Sequence, residues 1–211
     1  RPQKTLLETN ISIRSKMIGY IFLNGTAVLV ASSVSQRSAL FFCAYIASMA
    51  FYSAFLKRYL FIGNIGSALL TVLPFFAITV YFKNFSVEMF TLASYLLLLI
   101  SIKELLKDLC NIKGDLSNNY NTIPTVYGEN IAKRLISLLV VFCFGVFLLL
   151  YFFFSLQSMV YYFLASLCFL VFFTVLLWVS SKPKQLVLLL FGIKALIVLG
   201  IICLPLLKTP I

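Results

Sequence analysis

Histidine is absent from this chain, and acidic residues are scarce, with six Asp and Glu against 17 Lys and Arg among 211 residues. Without histidine the chain can form neither an imidazole general base nor a histidine-containing zinc or haem site. The five cysteines form no Cys-x-x-Cys pair, and four of them lie inside apolar runs, which argues against a disulfide framework or a cysteine metal site. Any chemistry must therefore come from a few carboxylates, amides, hydroxyls and basic groups.

Charged residues of either sign make up only 11% of the chain, whereas about a quarter is usual in soluble domains. Hydrophobic residues make up 62%, and the mean hydropathy is +1.06. One soluble domain of this size cannot bury so much apolar surface. The composition therefore predicts an integral membrane protein.

Seven apolar runs approach the roughly 20 residues that a helix needs to cross a bilayer. The runs are 17–33, 38–56, 60–82, 87–106, 131–153, 159–180 and 185–205. Continuous apolar runs favour helices, because a membrane barrel would show alternation. We predict an all-α integral membrane protein, a bundle of about seven transmembrane helices that forms one domain over residues 1–211.

The net charge of +11 is unevenly distributed along the chain. If the breaks between runs alternate between two sides, 13 basic residues fall on one side and three on the other, which predicts that the basic side is cytoplasmic. This bias explains the charge without a nucleic-acid partner, so we expect none. Lys194 lies inside the last run, where one interpretation places its charge against the bundle interior.

Acidic residues concentrate in the polar stretch that follows the fourth run. Glu104, Asp108, Asn111 and Asp115 are spaced by four, three and four, which would place them within about 60° of one helix face. Oxygen ligands on one face favour a hard cation such as Mg²⁺, and the lysines nearby favour a phosphate. The alternative is a solvated helix end with ordinary ion pairs. Gly114 weakens the helix, so Asp115 is the least secure member.

The string "KDLCNIKGDLSNNYNTIPTVYG" resembles the second aspartate-rich motif of the UbiA-type intramembrane prenyltransferases. In that family the pattern is close to K-D-x-x-D-x-x-G-D, followed by T-x-P and a Gly. The segment "YSAFLKRYLFIGN" is similar to the family's Tyr-x-x-x-Leu-Lys-Arg loop with its following Gly-Asn. The matching residues are Lys107, Asp108, Gly114, Asp115, Thr122, Pro124 and Gly128 in the first string, and Tyr52, Leu56, Lys57, Arg58, Gly63 and Asn64 in the second.

The chain departs from the family in two ways. The family's first motif, N-D-x-x-D-x-x-x-D, is absent, and it would precede Arg1 with two further helices ahead of it. The resemblance therefore implies a nine-helix fold that lacks its first two helices, an N-terminally truncated copy that alone should be inactive. Asn111 stands where the family usually has Asp. Its amide oxygen can still ligate Mg²⁺ but brings no negative charge.

The resemblance implies transfer of a polyprenyl group from an allylic diphosphate to a lipid or aromatic acceptor, with Mg²⁺ holding the diphosphate. It implies roles in catalysis for Asp108 and Asp115, which would hold the metal together with Asn111. The residues that would contact the substrate are Tyr52, Lys57, Arg58, Asn64 and Lys107. Thr122 and Pro124 would shape the loop. Glu104 would either lie behind the metal ligands or pair with Lys103.

Other functions stay open. The motif details favour a glyceryl phosphate lipid as acceptor, while the aromatic acceptors of the quinone pathways remain. A non-catalytic protein that binds polyprenyl lipids, or a partner subunit, is the alternative. A transporter would need polar or discontinuous helices at the midplane, and only Asn64, Pro74 and Lys194 resemble such features. We expect a multi-pass protein of the cell inner membrane, in contact with membrane lipid, with the site loops cytoplasmic.

Overall fold

The structure is a computed structural model, and it describes residues 12–56, 59–81, 86–117, 120–154, 156, 158–180 and 183–203. These residues form helices and no strand. The helices are α1 (Ile13–Val34), α2 (Gln36–Ala54), α3 (Leu60–Tyr81), α4 (Val87–Cys110), α5 (Ile112–Ser117), α6 (Ile123–Tyr127), α7 (Glu129–Phe153), α8 (Met159–Val179) and α9 (Pro183–Cys203). The prediction of an all-α membrane protein is confirmed.

Six of the described helices, α1, α3, α4, α7, α8 and α9, are long and apolar enough to cross a membrane. The sequence predicted about seven spans, and the run at 38–56 accounts for the difference. It forms α2, a helix of 19 residues that begins with Gln36-Arg37 and contains several serines and tyrosines. These residues lower its mean hydropathy below that of the other long helices.

Helix α4 lies at the centre of the bundle, because it packs against α3, α7 and α9. Its buried residues Leu99, Ile102 and Leu106 join Ile136 and Cys143 of α7 in the main apolar core. Half of the α4 span is buried, against 6% of the α1 span. The polar residues of α4 are therefore held inside the protein.

Contacts between helix ends support the alternation of the loops between two sides. Near the start of α7, the buried Lys133 donates a hydrogen bond from Nζ to the backbone oxygen of Ser180, which follows α8, over 3.2 Å. At the end of α2, the Tyr52 hydroxyl donates to the backbone oxygen of Gly63 near the start of α3 over 2.6 Å. The end of one helix thus meets the beginning of its neighbour in both pairs.

Lys194 does not face the bundle interior. Its side chain is exposed at the middle of α9, and its Nζ lies 5.4 Å from the centre of the Phe191 ring. The interpretation that burial shields this charge is wrong, because the inward face of α9 is formed by leucines and an isoleucine one turn apart, among them Leu190, Ile193 and Leu196. Lys194 thus lies on the outer side of α9 among the described helices.

Candidate active site at the end of helix α4

The polar stretch after the fourth run begins inside α4, which continues to Cys110. Asn111 follows it with φ −118° and ψ 17°, outside the helical region, and α5 begins at Ile112. The expectation of one continuous helix face is therefore wrong, and the break lies at Asn111 rather than at Gly114. The backbone N–H of Asn111 donates to the oxygen of Asp108 over 3.0 Å, and the N–H of Asp115 donates to the oxygen of Asn111 over 2.9 Å, so hydrogen-bonded turns lie on both sides of Asn111.

Asn111 holds Asp115 in place through its side chain. The Asn111 Nδ2 donates to Oδ1 of Asp115 over 2.8 Å. Gly114 leaves room for this contact, because a Cβ atom at that position would lie 2.9 Å from the Asn111 Oδ1 and 3.0 Å from its Nδ2. The glycine of the motif thus serves a close approach between side chains. The Asn111 amide oxygen lies on the same side, next to Gly114.

Asp108 and Asp115 lie together and are buried, with 6% and 8% of their surface exposed. The two carboxylates are near enough to interact electrostatically. In each, Oδ2 has no hydrogen-bond partner among the described residues. An unpaired carboxylate oxygen is costly to bury, and a cation would compensate both.

These residues fit Mg²⁺ as a partial ligand set. Mg²⁺ in phosphate-transfer sites commonly takes one or two protein carboxylates, and substrate phosphates and water complete its coordination. Asp108, Asp115 and the Asn111 amide oxygen match that pattern. Within the part of the chain that the structure describes, no group of three His, Cys, Asp or Glu residues could hold a metal ion by itself.

Glu104 lies one turn before Asp108 and forms ion pairs with two lysines. Its Oε1 is 2.9 Å from Nζ of Lys103, and its Oε2 contacts Nζ of Lys107. Of the two expected roles, pairing with Lys103 is observed, and Lys107 is a second partner that the sequence did not indicate. Lys107 remains half exposed and lies in the last turn of α4.

Tyr52 and Asn64 bring α2 and α3 to the same site. Tyr52 is near enough to Glu104, Lys107 and Asp108 to interact electrostatically with each. The amide of Asn64 lies beside the carboxylate of Asp108 and interacts with it, although its buried Nδ2 makes no hydrogen bond of good geometry with a described residue. The structure therefore brings both predicted residues to Asp108.

Gly66 and Ser67 position Tyr52. Neither residue was predicted from the sequence. A Cβ atom at position 66 would lie 3.0 Å from Cε2 of the Tyr52 ring, so the ring packs directly on the α3 backbone. Ser67 interacts with the Tyr52 hydroxyl, which also donates to Gly63. The spacing of Gly63, Gly66 and Ser67 was the available signal, because residues three and four apart share a helix face.

An open cavity of about 500 Å³ lies between α2 and α3, next to these groups. Tyr52 and Gly66 line it, together with apolar residues that include Phe51, Leu69 and Leu70. Tyr52 thus borders the polar cluster and an apolar space at once. A molecule with a charged head and a hydrocarbon tail would fit here with its head beside the polar cluster and its tail in the apolar cavity.

The remaining motif residues build the turn that leads into α7. The Thr122 N–H donates to Oγ1 of Thr125 over 2.8 Å at the start of α6, where Pro124 is buried. Gly128 follows with φ +86° and ψ 167°, a conformation that residues with a Cβ rarely adopt. Lys57 and Arg58 were also predicted to contact the substrate, and they lie outside the described residues.

Two comparisons with known proteins relate the chain to prenyltransferases. A profile of the UbiA prenyltransferase family matches residues 1–206. A digeranylgeranylglyceryl phosphate synthase from Thermococcus sibiricus is 31% identical over 139 residues, which are 64% of this chain and 48% of the relative. The chain spans about half the length of this curated relative, and no solved structure matches it significantly. Since the profile covers nearly every residue of this helical membrane protein, the chain belongs to the UbiA prenyltransferase family.

Proposed function

We propose that the protein is a prenyltransferase that moves a polyprenyl group from an allylic diphosphate to a lipid acceptor of the glyceryl phosphate type. The observation that carries the proposal is the buried pair Asp108 and Asp115, each with one oxygen that lacks a partner among the described residues. The family supports the reaction class, and the name of the archaeal relative supports the acceptor.

The carboxylates of Asp108 and Asp115 and the amide oxygen of Asn111 would hold Mg²⁺. When bound, the metal neutralises the diphosphate and makes it a better leaving group. The distribution of basic residues supports a cytoplasmic position for this site, in the inner membrane of the cell. The diphosphate would then arrive from the polar side while its tail stays in lipid.

Lys107 would bind the diphosphate, because 54% of its side chain is exposed beside the carboxylate pair. As the allylic C–O bond breaks, its electron pair leaves with the diphosphate, and positive charge develops on the prenyl carbon. A hydroxyl oxygen of the acceptor forms the new bond to that carbon and gives up its proton to the released diphosphate. Lys107 and Asn64 would stabilise the departing charge by contact with phosphate oxygens.

Tyr52 would contribute its ring rather than its hydroxyl. The hydroxyl is already engaged with the Gly63 carbonyl, while the ring borders the cavity between α2 and α3. The face of an aromatic ring attracts a cation. The ring is also a weaker nucleophile than water, so it does not readily react with that cation. Tyr52 would therefore help to keep the prenyl cation intact until the acceptor reacts.

The test of this function is a transfer assay with the full-length protein in lipid vesicles, with Mg²⁺ and radiolabelled prenyl diphosphates. A prenylated glyceryl phosphate and hydroxybenzoate serve as parallel acceptors. We expect label in the glyceryl phosphate product and none without Mg²⁺. Transfer only to hydroxybenzoate would overturn the acceptor assignment, and transfer to neither would overturn the proposed function.

A non-catalytic protein that binds polyprenyl lipids is the second candidate. It is favoured by Asn111, which replaces a carboxylate, and by the lack of a three-residue acidic or cysteine metal cluster among the described residues. This candidate predicts saturable binding of a prenyl diphosphate without release of diphosphate. Measurement of bound ligand and released diphosphate on one sample separates the two functions.

A further inference from the structure

Glu104 is more deeply buried than its position at a helix end would suggest. It is 5% exposed and carries ion pairs to Lys103 and Lys107. It also lies near enough to Tyr52 and Asp108 to interact electrostatically with both. A carboxylate that is removed from water requires such partners, because an unpaired buried charge is strongly unfavourable.

The pairing with Glu104 determines where Lys107 lies. Residues 104 and 107 are three apart on α4, so their side chains occupy the same face of the helix. A free lysine side chain samples many rotamers, and a fixed charge partner reduces that freedom before a ligand arrives. Glu104 therefore holds the Lys107 ammonium beside its own carboxylate in the last turn of α4.

The same pairing keeps the Lys107 ammonium from binding the Asp108 carboxylate. Lys107 is close enough to Asp108 to interact with it, yet Oδ2 of Asp108 has no hydrogen-bond partner among the described residues. Without the Glu104 carboxylate, the Asp108 carboxylate would be the nearest described anion for the lysine. An ammonium on Asp108 would then compete with a cation for the same oxygen.

We infer that Glu104 is a positioning residue, which holds Lys107 ready for the diphosphate and leaves Asp108 available to the metal. This inference rests on the proposed function. It assigns Glu104 no contact with the metal or the substrate. Its effect passes through Lys107, and that dependence makes it testable.

The first experiment is a double-mutant cycle on transfer activity with Glu104→Gln and Lys107→Ala. We expect Glu104→Gln to raise KM for the prenyl diphosphate at least about tenfold, the effect expected from the loss of a charge-assisted hydrogen bond, with a smaller change in kcat. In the Lys107→Ala background, Glu104→Gln should have little further effect. Additive effects, or wild-type KM in Glu104→Gln, would refute the positioning role.

The second experiment measures binding of Mn²⁺ by electron paramagnetic resonance, without substrate. Glu104→Gln should weaken Mn²⁺ binding, because Lys107 can then occupy Asp108, and adding Lys107→Ala should restore it. Restoration in the double variant also shows that the Gln side chain at position 104 is compatible with the folded protein. Failure of the double variant to regain Mn²⁺ binding, or unaltered binding in Glu104→Gln, would reject the inference.

The outcomes separate this inference from the proposed function. A wild-type protein that transfers no prenyl group refutes the proposed function. An active wild type with additive variants refutes only the role of Glu104. Glu129→Gln is the matched control, because Glu129 is an exposed acid in the first turn of α7, and it should change neither KM nor Mn²⁺ binding.

Discussion

Asn111 and Asp115 illustrate how single side chains determine the character of the site. The amide of Asn111 orients one oxygen of Asp115, and the other oxygen stays without a partner among the described residues. A carboxylate at position 111 would instead repel Asp115. Asn111, which stands where the family usually has Asp, therefore lacks a negative charge but provides a hydrogen bond. That bond orients Asp115 when no metal is bound.

Replacement of Asp115 tests the carboxylate pair directly. We expect Asp115→Asn to lower kcat at least about a hundredfold in the transfer assay, a loss typical of removing a group that stabilises transition-state charge. The control is Lys184→Ala at the exposed start of α9, which should leave the rate close to wild type. Equal rates in the two variants would remove Asp115 from the proposed site.

Asn111→Asp tests the balance between charge and hydrogen bonding. The variant loses the hydrogen bond to Asp115 and places a third carboxylate beside two buried ones, so it should be less stable than wild type without metal. Mg²⁺ should raise its thermal midpoint more than that of wild type, because binding to the native state stabilises it. Thermal unfolding with and without Mg²⁺ measures this, and an equal shift in both proteins would contradict a metal at this position.

At the scale of helices, the close contact of α2 with α3 decides the position of Tyr52. The ring packs on the backbone at Gly66, and the hydroxyl reaches Gly63 one turn away. Neither contact requires a particular side chain from α3 at these two positions. Gly66 thus contributes to the helix pair through the lack of a Cβ atom, which lets the Tyr52 ring pack on the α3 backbone.

Gly66→Ala should displace Tyr52 and loosen this helix pair. Its Cβ would lie 3.0 Å from the Tyr52 ring, and overpacking of this kind typically costs about 1–3 kcal/mol. We expect a lower thermal midpoint together with reduced transfer. Gly145→Ala on α7 is the matched control, because nothing lies within 4 Å of its added Cβ. A drop of the same size in both variants would show that Tyr52 is not the cause.

At the scale of the whole molecule, the central position of α4 explains why acidic residues can be buried at its end. Helices α3, α7 and α9 surround it, whereas few residues of α1 are buried. Residues on α4 therefore meet partners from several helices, whereas many residues on the outer helices are exposed. Lys194 shows the second case, since it is exposed at the middle of α9.

Lys194→Leu should make membrane insertion of α9 more favourable. A lysine at the centre of a spanning helix costs about 2.5–3.5 kcal/mol on insertion scales, while leucine is favourable. The effect can be measured as the glycosylation ratio of α9 in an insertion reporter, with Lys184→Leu near the helix start as a control that should change much less. Transfer activity of the full protein should remain, and its loss would show that Lys194 has a functional role.

Much of the architecture was predictable, because hydropathy is a local property. The apolar runs at 87–106, 131–153, 159–180 and 185–205 correspond to α4, α7, α8 and α9 within a few residues. The run at 38–56 shows the limit, since α2 forms as a helix but falls short of the apolar character of the others. An apolar run close to the threshold, such as 38–56, therefore could not be distinguished in advance from the runs that do qualify as membrane spans.

The site was predictable only in part. The motif spacing identified Asp108, Asn111 and Asp115, which do lie together, although their role with a metal remains a prediction. The break at Asn111 was not foreseen, because Gly114 is the residue with the lower helix propensity. Gly114 lies inside α5 despite its low helix propensity, because its missing Cβ atom leaves room for the Asn111 side chain that bonds to Asp115.

The amino-acid sequence by itself determined that this protein resides in a membrane, which segments are apolar helices and where its few carboxylates stand along the chain. These features follow from the transfer of each segment from water to lipid, and that free energy depends on local composition. Only the tertiary structure decided that Glu104 pairs with Lys107, that Tyr52 and Asn64 reach Asp108, and that Lys194 faces outward. Such contacts depend on how each helix is rotated against its neighbours, and packing between distant segments sets that rotation.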